Sequence, residues 1–119
     1  MAKQGEIEYI QKIGVDGAIH ALNKPFSDPK CGGYFYDLGM VLSLLPPPPA
    51  RLLDLGVGSG WTSCFFALKG YEVVAQDISD SMLELLEKNK ERYGVDNVKS
   101  IMSDYESLNF LDEFDCAVF

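Results

Sequence analysis

The residues best suited to chemistry are three glycines and two aspartates that follow short apolar runs. Gly56, Gly58 and Gly60 come directly after the apolar segment 51–55 and precede a segment of helical character. Glycine permits positive φ and lets a ligand approach the backbone, while amides at a helix start attract polar ligand groups. The spacing therefore predicts a nucleotide-like cofactor at this loop, with an ordinary strand-to-helix turn as the alternative.

Spacing and charge distinguish between classes of nucleotide cofactor. The pattern is G-x-G-x-G, and Trp61 occupies the position where the dinucleotide pattern G-x-G-x-x-G needs its third glycine for close helix–strand packing. Asp54 lies at the end of the first predicted strand, facing the crevice where ligands bind in such sheets. Asp77 ends the second strand at the spacing of an acid that accepts bonds from ribose hydroxyls, and the alternative is a helix cap before Ser79.

An alternating series of strands and helices must position these residues. Short apolar runs bounded by glycine or aspartate are typical of buried strands, and apolar residues three or four positions apart are typical of helices. Strands are predicted at 51–55, 72–76, 98–102 and 114–119, and helices at 61–69 and 80–93. This alternation predicts an α/β fold with a parallel sheet and right-handed crossovers.

Glycines and serines mark the predicted helix ends. Gly70 and Gly94 are placed to end the two helices, since glycine readily adopts the left-handed conformation found there. At the start of the second helix, Ser81 and Glu84 have the spacing of a capping box, and Ser79 is a rival cap.

The first 49 residues differ from the rest of the chain. The segment 6–22 has in part the spacing of an amphipathic helix, a loop rich in proline and glycine follows, and 34–45 predicts a second helix. Four prolines, 46–49, stop that helix because proline lacks an amide proton, and they form a stiff lead-in. A partner-binding proline motif is the alternative. We therefore divide the chain into a helical cap with a proline-rich lead-in, 1–49, and a cofactor-binding half domain, 50–119.

Composition and charge narrow the function classes. The 119 residues carry a formal net charge of −8 and are 47% hydrophobic, which is typical of one small globular domain. An acidic surface repels phosphate backbones, so nucleic acid is not expected as a partner. The sequence shows no apolar run long enough for a bilayer and no signal-peptide pattern, so we expect a cytoplasmic protein with no membrane partner. The three cysteines lack the spacing of a zinc site, and no metal is expected.

Four segments, taken in order, resemble the motifs of one enzyme family. The segment Leu52–Thr62, with the glycine triplet, resembles the first motif of class I S-adenosylmethionine-dependent methyltransferases. Gln76–Leu83 resembles the acidic second motif, Ser103–Tyr105 the third and Phe114–Val118 the fourth. The resemblance implies a three-layer Rossmann-like methyltransferase fold, with helices on both faces of a partial parallel sheet of strand order 3-2-1-4.

The same resemblance implies which residues hold the cofactor. Asp54 would hold the methionine amino group, and Asp77 would accept the ribose hydroxyls. The glycine loop would pass beside the methionine and sugar parts, and two further aliphatic residues, an aspartate and a tyrosine would surround the adenine. These loop and adenine residues are Gly56, Val57, Gly58, Gly60, Ile78, Met82, Asp104 and Tyr105. A pocket lined by aspartates suits the sulfonium and ammonium groups of S-adenosylmethionine, whereas it would repel a pyrophosphate.

The resemblance covers about residues 50–119, and the family's full sheet has the strand order 3-2-1-4-5-7-6. Residues beyond strand 4 usually contact the methyl acceptor in the family, so the sequence names neither the general base nor the acceptor, which we expect to be a small molecule. The last strand, 114–119, is nearly all apolar beyond Asp115, a composition typical of a strand buried on both faces. We therefore expect a longer protein, or a homodimer through the strand 4 edge, and little or no activity from these 119 residues alone.

Alternatives stay open for the function and for several residues. The other function classes are a non-catalytic cofactor-binding or scaffold module and an NAD(P)-dependent oxidoreductase, and the glycine spacing disfavours the latter. His20 is a candidate general base, with a surface or structural histidine as the alternative. Tyr34, Phe35 and Tyr36 are candidates for contact with cofactor or substrate, and core packing is the alternative.

Overall fold

The computed structural model of the chain describes residues 17–104 and 113–119, and it shows a parallel four-stranded sheet packed with helices. The strands are β1 (Arg51–Leu55), β2 (Glu72–Asp77), β3 (Val98–Met102) and β4 (Cys116–Val118), and the helices are α1 (Cys31–Leu44), α2 (Trp61–Lys69) and α3 (Asp80–Tyr93). The strands lie in the order β3-β2-β1-β4, and each neighbouring pair is parallel. The predicted fold class and strand order are confirmed.

Strand β1 lies at the centre of the sheet and leads into the glycine triplet. Successive strand residues point to opposite faces, and Leu52 and Leu53 are both fully buried, so both faces of β1 are covered. β1 pairs with β2 along one side and with β4 along the other, where Asp54 lies opposite Val118. The carboxyl ends of three parallel strands therefore meet beside Asp54, which places this residue at the edge where such sheets bind ligands.

The helix ends follow local backbone chemistry. Gly70 and Gly94 adopt the left-handed conformation and end α2 and α3, as the sequence predicts. Ser79 is the N-cap of α3, and its hydroxyl accepts a bond from the Met82 amide at 3.3 Å. The capping box at Ser81 is wrong, because the helix has already begun at Asp80 and Ser81 lies inside its first turn.

Several predicted boundaries differ from the structure, chiefly those of α1 and β4. Helix α1 begins at Cys31, three residues early, because the Cys31 amide donates to the Asp28 carbonyl at 3.0 Å and this turn continues directly into the helix. Residues 17–22 are helical, and the earlier part of the predicted helix 6–22 lies outside the described residues. Strand β4 has three residues where six were predicted, since its ladder with β1 extends only opposite residues 52–54. The side chains of β4 are exposed or half-buried in this chain, and their burial by further chain or by a second copy stays a prediction.

An aromatic cluster joins the segment before the sheet to the helices that follow β1. Its members are Phe26, Tyr34, Phe35, Trp61, Phe65 and Tyr93. Phe35 of α1 stacks on Phe65 of α2 with ring centroids 6.0 Å apart, and Phe65 meets Tyr93 of α3 edge-on at 5.2 Å. The cluster therefore holds α1 against α2 and α3 beside the glycine triplet. None of the helices in the described ranges is long and apolar enough to cross a membrane.

Candidate functional site

The glycine loop, residues 56–60, connects β1 to α2 through three left-handed glycines. Gly56, Gly58 and Gly60 have φ values of 65°, 59° and 76°. An L-residue with a side chain rarely adopts these values, so the loop conformation requires glycine at each position. Hydrogen bonds also fix the loop: the Val57 amide donates to the Gln76 carbonyl at 3.0 Å, and the Gly60 amide donates to the Val57 carbonyl at 2.9 Å.

Asp77 lies under the glycine loop and binds backbone amides with both carboxylate oxygens. Its Oδ2 accepts from the Gly58 amide at 2.8 Å, and its Oδ1 accepts from the Ser79 amide at 2.9 Å. The side chain is 1% exposed. Asp77 therefore tethers the loop to the start of α3. The N-cap of α3 is Ser79, so Asp77 is not the helix cap that was the alternative to ribose binding.

Gln76 is a positioning residue that the sequence analysis missed. Its Oε1 accepts from the Gly56 amide at 2.9 Å, and its Nε2 donates to the Ser103 carbonyl just beyond β3. The side chain is 1% exposed. Gln76 thereby links the glycine loop to the end of the third strand. The available signal was a long amide side chain at the end of an apolar strand, which must find partners if buried.

We expect Gln76→Leu to lower the free energy of unfolding by about 2 kcal/mol, because the buried Gly56 amide and Ser103 carbonyl lose their partners. Gln76→Glu is the comparison variant: it keeps the acceptor for Gly56 but turns a carboxylate oxygen towards the Ser103 carbonyl in a buried position, so its loss at neutral pH is expected to be at least as large. Urea unfolding monitored by circular dichroism measures both. Equal stability of Gln76→Leu and the unmodified chain would contradict this role.

Asp54 is a buried carboxyl at the end of β1, next to the first turn of α2. Its Oδ2 accepts bonds from the Thr62 hydroxyl at 2.9 Å and the Ser63 hydroxyl at 2.7 Å. Burial raises the pKa of Asp54 to about 6, while the two hydroxyls act in the opposite direction. Thr62 and Ser63 were also missed by the sequence analysis, although hydroxyl residues in the helix turn facing a strand-end acid are a usable signal.

Helix α3 contacts the end of the glycine loop, at Ser59 and Gly60. The Asn89 Nδ2 donates to the Ser59 carbonyl at 2.9 Å, and Asn89 is fully buried. Gly60 lies so close to α3 that an added Cβ would stand 2.1 Å from Leu86 Cδ1. The third glycine of the triplet is therefore required by packing as well as by its positive φ.

Two adjoining cavities lie along the glycine loop and share Gly56, Val57 and Trp61. The first has a volume of about 290 Å³, and Asp54 and Asp37 contribute its carboxylates. Its other lining residues are Tyr34, Leu38, Val41, Leu55, Thr62, Phe66, Val118 and Phe119. The second has a volume of about 200 Å³ and is lined also by His20, Ala21, Lys24, Gly58, Ser59 and Met82.

The structure brings most of the residues predicted for the site to this one edge of the sheet. Asp54, Gly56, Val57, Gly58 and Met82 line the two cavities. Gly60, the last residue of the loop, is buried, as is Asp77 beneath the loop, and Ile78, which follows Asp77, is 9% exposed. Asp104 is half-buried just beyond β3, and Tyr105 lies outside the described residues.

Of the three aromatic candidates before the sheet, one lines a cavity, one packs against other aromatic rings and one is exposed. Tyr34 lines the first cavity and also meets Trp61 edge-on at 6.3 Å. Phe35 packs in the aromatic cluster, and Tyr36 is 70% exposed. His20 lines the second cavity, with its Nε2 3.9 Å from the Asp28 carboxylate.

Comparisons with known proteins agree with this geometry. The sequence pattern of the methyltransferase-domain family matches residues 52–119. The malonyl-[acyl-carrier protein] O-methyltransferase of Methylococcus capsulatus is 41% identical over 103 residues, covering 85% of this chain and 34% of that protein. The tRNA 5-carboxymethoxyuridine methyltransferase of Escherichia coli is 36% identical over 66 residues, covering 55% of this chain and 25% of that protein.

A solved structure shows the same fold. An S-adenosylmethionine-dependent methyltransferase from Mesorhizobium loti matches with a TM-score of 0.57 and 26% identity, covering 66% of this chain and 36% of that one. The chain spans about a third of the length of the M. capsulatus and M. loti proteins. The family pattern covers more than half of the chain, and the strand order and the glycine loop agree with it. The chain therefore belongs to the methyltransferase-domain family, among the class I S-adenosylmethionine-dependent methyltransferases.

Proposed function

We propose that the chain binds S-adenosylmethionine along the glycine loop and is the cofactor-binding part of an enzyme that methylates a small molecule. The observation that carries this proposal is the meeting of Asp54, the glycine loop and Asp77 at the carboxyl ends of β1 and β2. Open α/β sheets bind ligands at this edge. Buried carboxylates there favour a cationic ligand over a pyrophosphate.

The residues at this edge fit the proposed cofactor. A Cβ added at Gly58 would meet nothing within 4 Å, so the loop presents open space where a ligand can touch its backbone. Asp54, which faces the first cavity, would pair with the ammonium group. Each Asp77 oxygen accepts one amide bond, and its second lone pair would accept a ribose hydroxyl.

The adenine would lie on the α3 side of the loop. Met82 lines the second cavity, and Ile78 lies between Asp77 and the N-cap of α3. Apolar side chains at these positions suit the faces of a purine ring. Asp104 and Tyr105, which follow β3, would complete this side, with the Asp104 carboxylate accepting from the adenine amino group.

The reaction demands mainly positioning from this part of the protein. S-adenosylmethionine supplies a methyl group on a sulfonium, which is already an activated leaving group. The chain's own residues would fix the methionine end at Asp54 and keep the methyl-bearing side facing the first cavity. Holding two reactants in line makes a large contribution to rate without a strong general base.

A small-molecule acceptor is favoured by the charge and the cavity. The formal net charge of −8 disfavours phosphate-rich partners. The first cavity is lined by aromatic and aliphatic side chains around its two carboxylates, a lining suited to a small organic ligand. One similar protein is named for tRNA and another for a malonyl group on a carrier protein, so macromolecular acceptors are outcomes that acceptor assays must include.

Isothermal titration calorimetry with S-adenosylhomocysteine tests cofactor binding. We expect binding by the unmodified chain and a loss of about tenfold or more in affinity for Asp77→Asn, because a charge-assisted acceptor is removed. Asp96→Asn, an exposed aspartate away from the loop, is the matched control and is expected to bind normally. Thermal unfolding of each variant shows which losses come from stability.

Other results of this titration separate the remaining function classes. Binding of NAD(P) in place of S-adenosylhomocysteine would contradict the proposal. Binding of neither ligand would favour the scaffold alternative. The division at residues 49 and 50, a cytoplasmic location and a homodimer through the β4 edge stay predictions from the sequence.

A further inference from the structure

The second cavity carries a basic side chain in a strongly acidic protein. Lys24 lines this cavity together with the glycine-loop residues Gly56, Gly58 and Ser59. The first cavity, on the other side of the shared residues, is acidic through Asp54 and Asp37, and the chain as a whole has a formal net charge of −8. Lys24 therefore places a positive charge beside the loop in surroundings that are otherwise acidic.

The side chain of Lys24, in the loop preceding α1, contacts an aromatic ring of α1. Its Nζ lies 5.9 Å from the centroid of the Tyr34 ring, a cation–π distance. No carboxylate within residues 17–104 and 113–119 forms an ion pair with this ammonium group. The neighbouring His20 differs in this respect, since its Nε2 lies 3.9 Å from the Asp28 carboxylate.

The ligand of the proposed function carries charges of both signs at one end. The amino-acid part of S-adenosylmethionine has an ammonium group and a carboxylate on the same carbon. Asp54 and Asp37 can pair with the ammonium group, but they repel the carboxylate. Without a nearby cation, the carboxylate would be desolvated beside buried acids, which is unfavourable.

We propose that Lys24 binds the carboxylate of the cofactor's amino-acid part. Because the two charged groups share one carbon, the amino-acid part would lie beside Gly56 and Val57, where the two cavities meet, with Asp54 reaching it from the first cavity and Lys24 from the second. This assignment rests on the proposed function. It also makes the segment before α1 part of the cofactor site, in addition to a cap packed on the helices.

Two ligands that differ only in the carboxylate give a direct test. Calorimetry would measure S-adenosylmethionine and decarboxylated S-adenosylmethionine against the unmodified chain, Lys24→Met and Lys24→Arg. For Lys24→Met we expect roughly a tenfold loss of affinity for S-adenosylmethionine and no loss for the decarboxylated form. Lys24→Arg keeps the charge and is expected to restore most of the difference. Lys88→Met, an exposed lysine on α3, is the matched control.

Each other result has a distinct meaning. Equal losses for both ligands would show a merely structural role for Lys24 and overturn the proposal, as would an unchanged affinity for S-adenosylmethionine. If Lys24→Met fails to fold, Lys24→Gln and Lys24→Arg carry the same comparison. Failure of the unmodified chain to bind either ligand would overturn the proposed function itself, which is a different result from binding that ignores Lys24.

Discussion

Gly60→Ala is expected to lower the free energy of unfolding by about 3 kcal/mol or to prevent folding. A Cβ at this position would stand 2.1 Å from Leu86 Cδ1, 3.0 Å from its Cγ and 3.2 Å from its Cβ. Leu86 is fully buried on α3, so its side chain has little room to move away. The φ of 76° adds the ordinary cost of a left-handed residue with a side chain.

Gly58→Ala is the matched control for this effect. Gly58 has a similar φ of 59°, but an added Cβ there meets nothing within 4 Å. Its substitution should therefore cost only the conformational term, about 1 kcal/mol. Urea unfolding of the two variants measures the difference. If both variants lose the same stability, the close approach of the loop to α3 is not what requires glycine at position 60.

Asp54 is expected to make the folded state less stable as the pH rises. Its pKa is 3.8 ordinarily and about 6 in the folded chain, because burial disfavours the charged form. Below 3.8 the carboxyl is neutral in both states and has no effect. As the pH rises from 3.8 to about 6, Asp54 ionises first in the unfolded state, which lowers the free energy of unfolding. Above about 6 the full loss of stability, roughly 3 kcal/mol, is present.

Asp54→Asn isolates this contribution, since the amide oxygen can still accept from the Thr62 and Ser63 hydroxyls. The difference in free energy of unfolding between the variant and the unmodified chain, measured across the same pH window, should grow in favour of the variant. A difference that does not change with pH would mean that Asp54 has an ordinary pKa.

Ionisation of Asp54 lowers the stability of the folded chain but should raise its affinity for a cationic ligand. An ammonium group pairs with the ionised carboxylate, so S-adenosylmethionine affinity is expected to rise with pH through about 6. Asp54→Asn should bind weakly at every pH and lack this dependence. Calorimetry in buffers of different ionisation enthalpy would detect the proton released on binding below that pH. Strong and pH-independent binding by the variant would remove Asp54 from the site.

Local sequence patterns were sufficient for the order of elements and for the turns. Gly70 and Gly94 end their helices because a left-handed residue favours glycine wherever it occurs, and Val98–Met102 is a strand by its local composition. The boundary of α1 was missed because a turn at Asp28 continues into the helix, which no single residue type marks. The length of β4 depends on pairing with β1, a contact distant in sequence.

The hydrogen-bond partners of the site could not be predicted in the same way. Asp77 was expected to face a ribose, yet in the folded chain its two oxygens bind the Gly58 and Ser79 amides. Gln76 reaches the Gly56 amide and the Ser103 carbonyl, which lie 20 and 27 residues away. Such contacts depend on how strands and loops are brought together, and a residue's type gives only its capacity to bond.

By itself, the sequence determined the class of fold, the glycine loop and the acidic character of the site. These follow from periodicity, from the conformational freedom of glycine and from charge, all of which are local properties. The tertiary structure decided that Gly60 must be glycine against Leu86, that Asp54 is buried enough to hold a raised pKa, and that Lys24 comes to lie beside the loop. Each of these depends on burial and proximity, which only packing between distant segments creates.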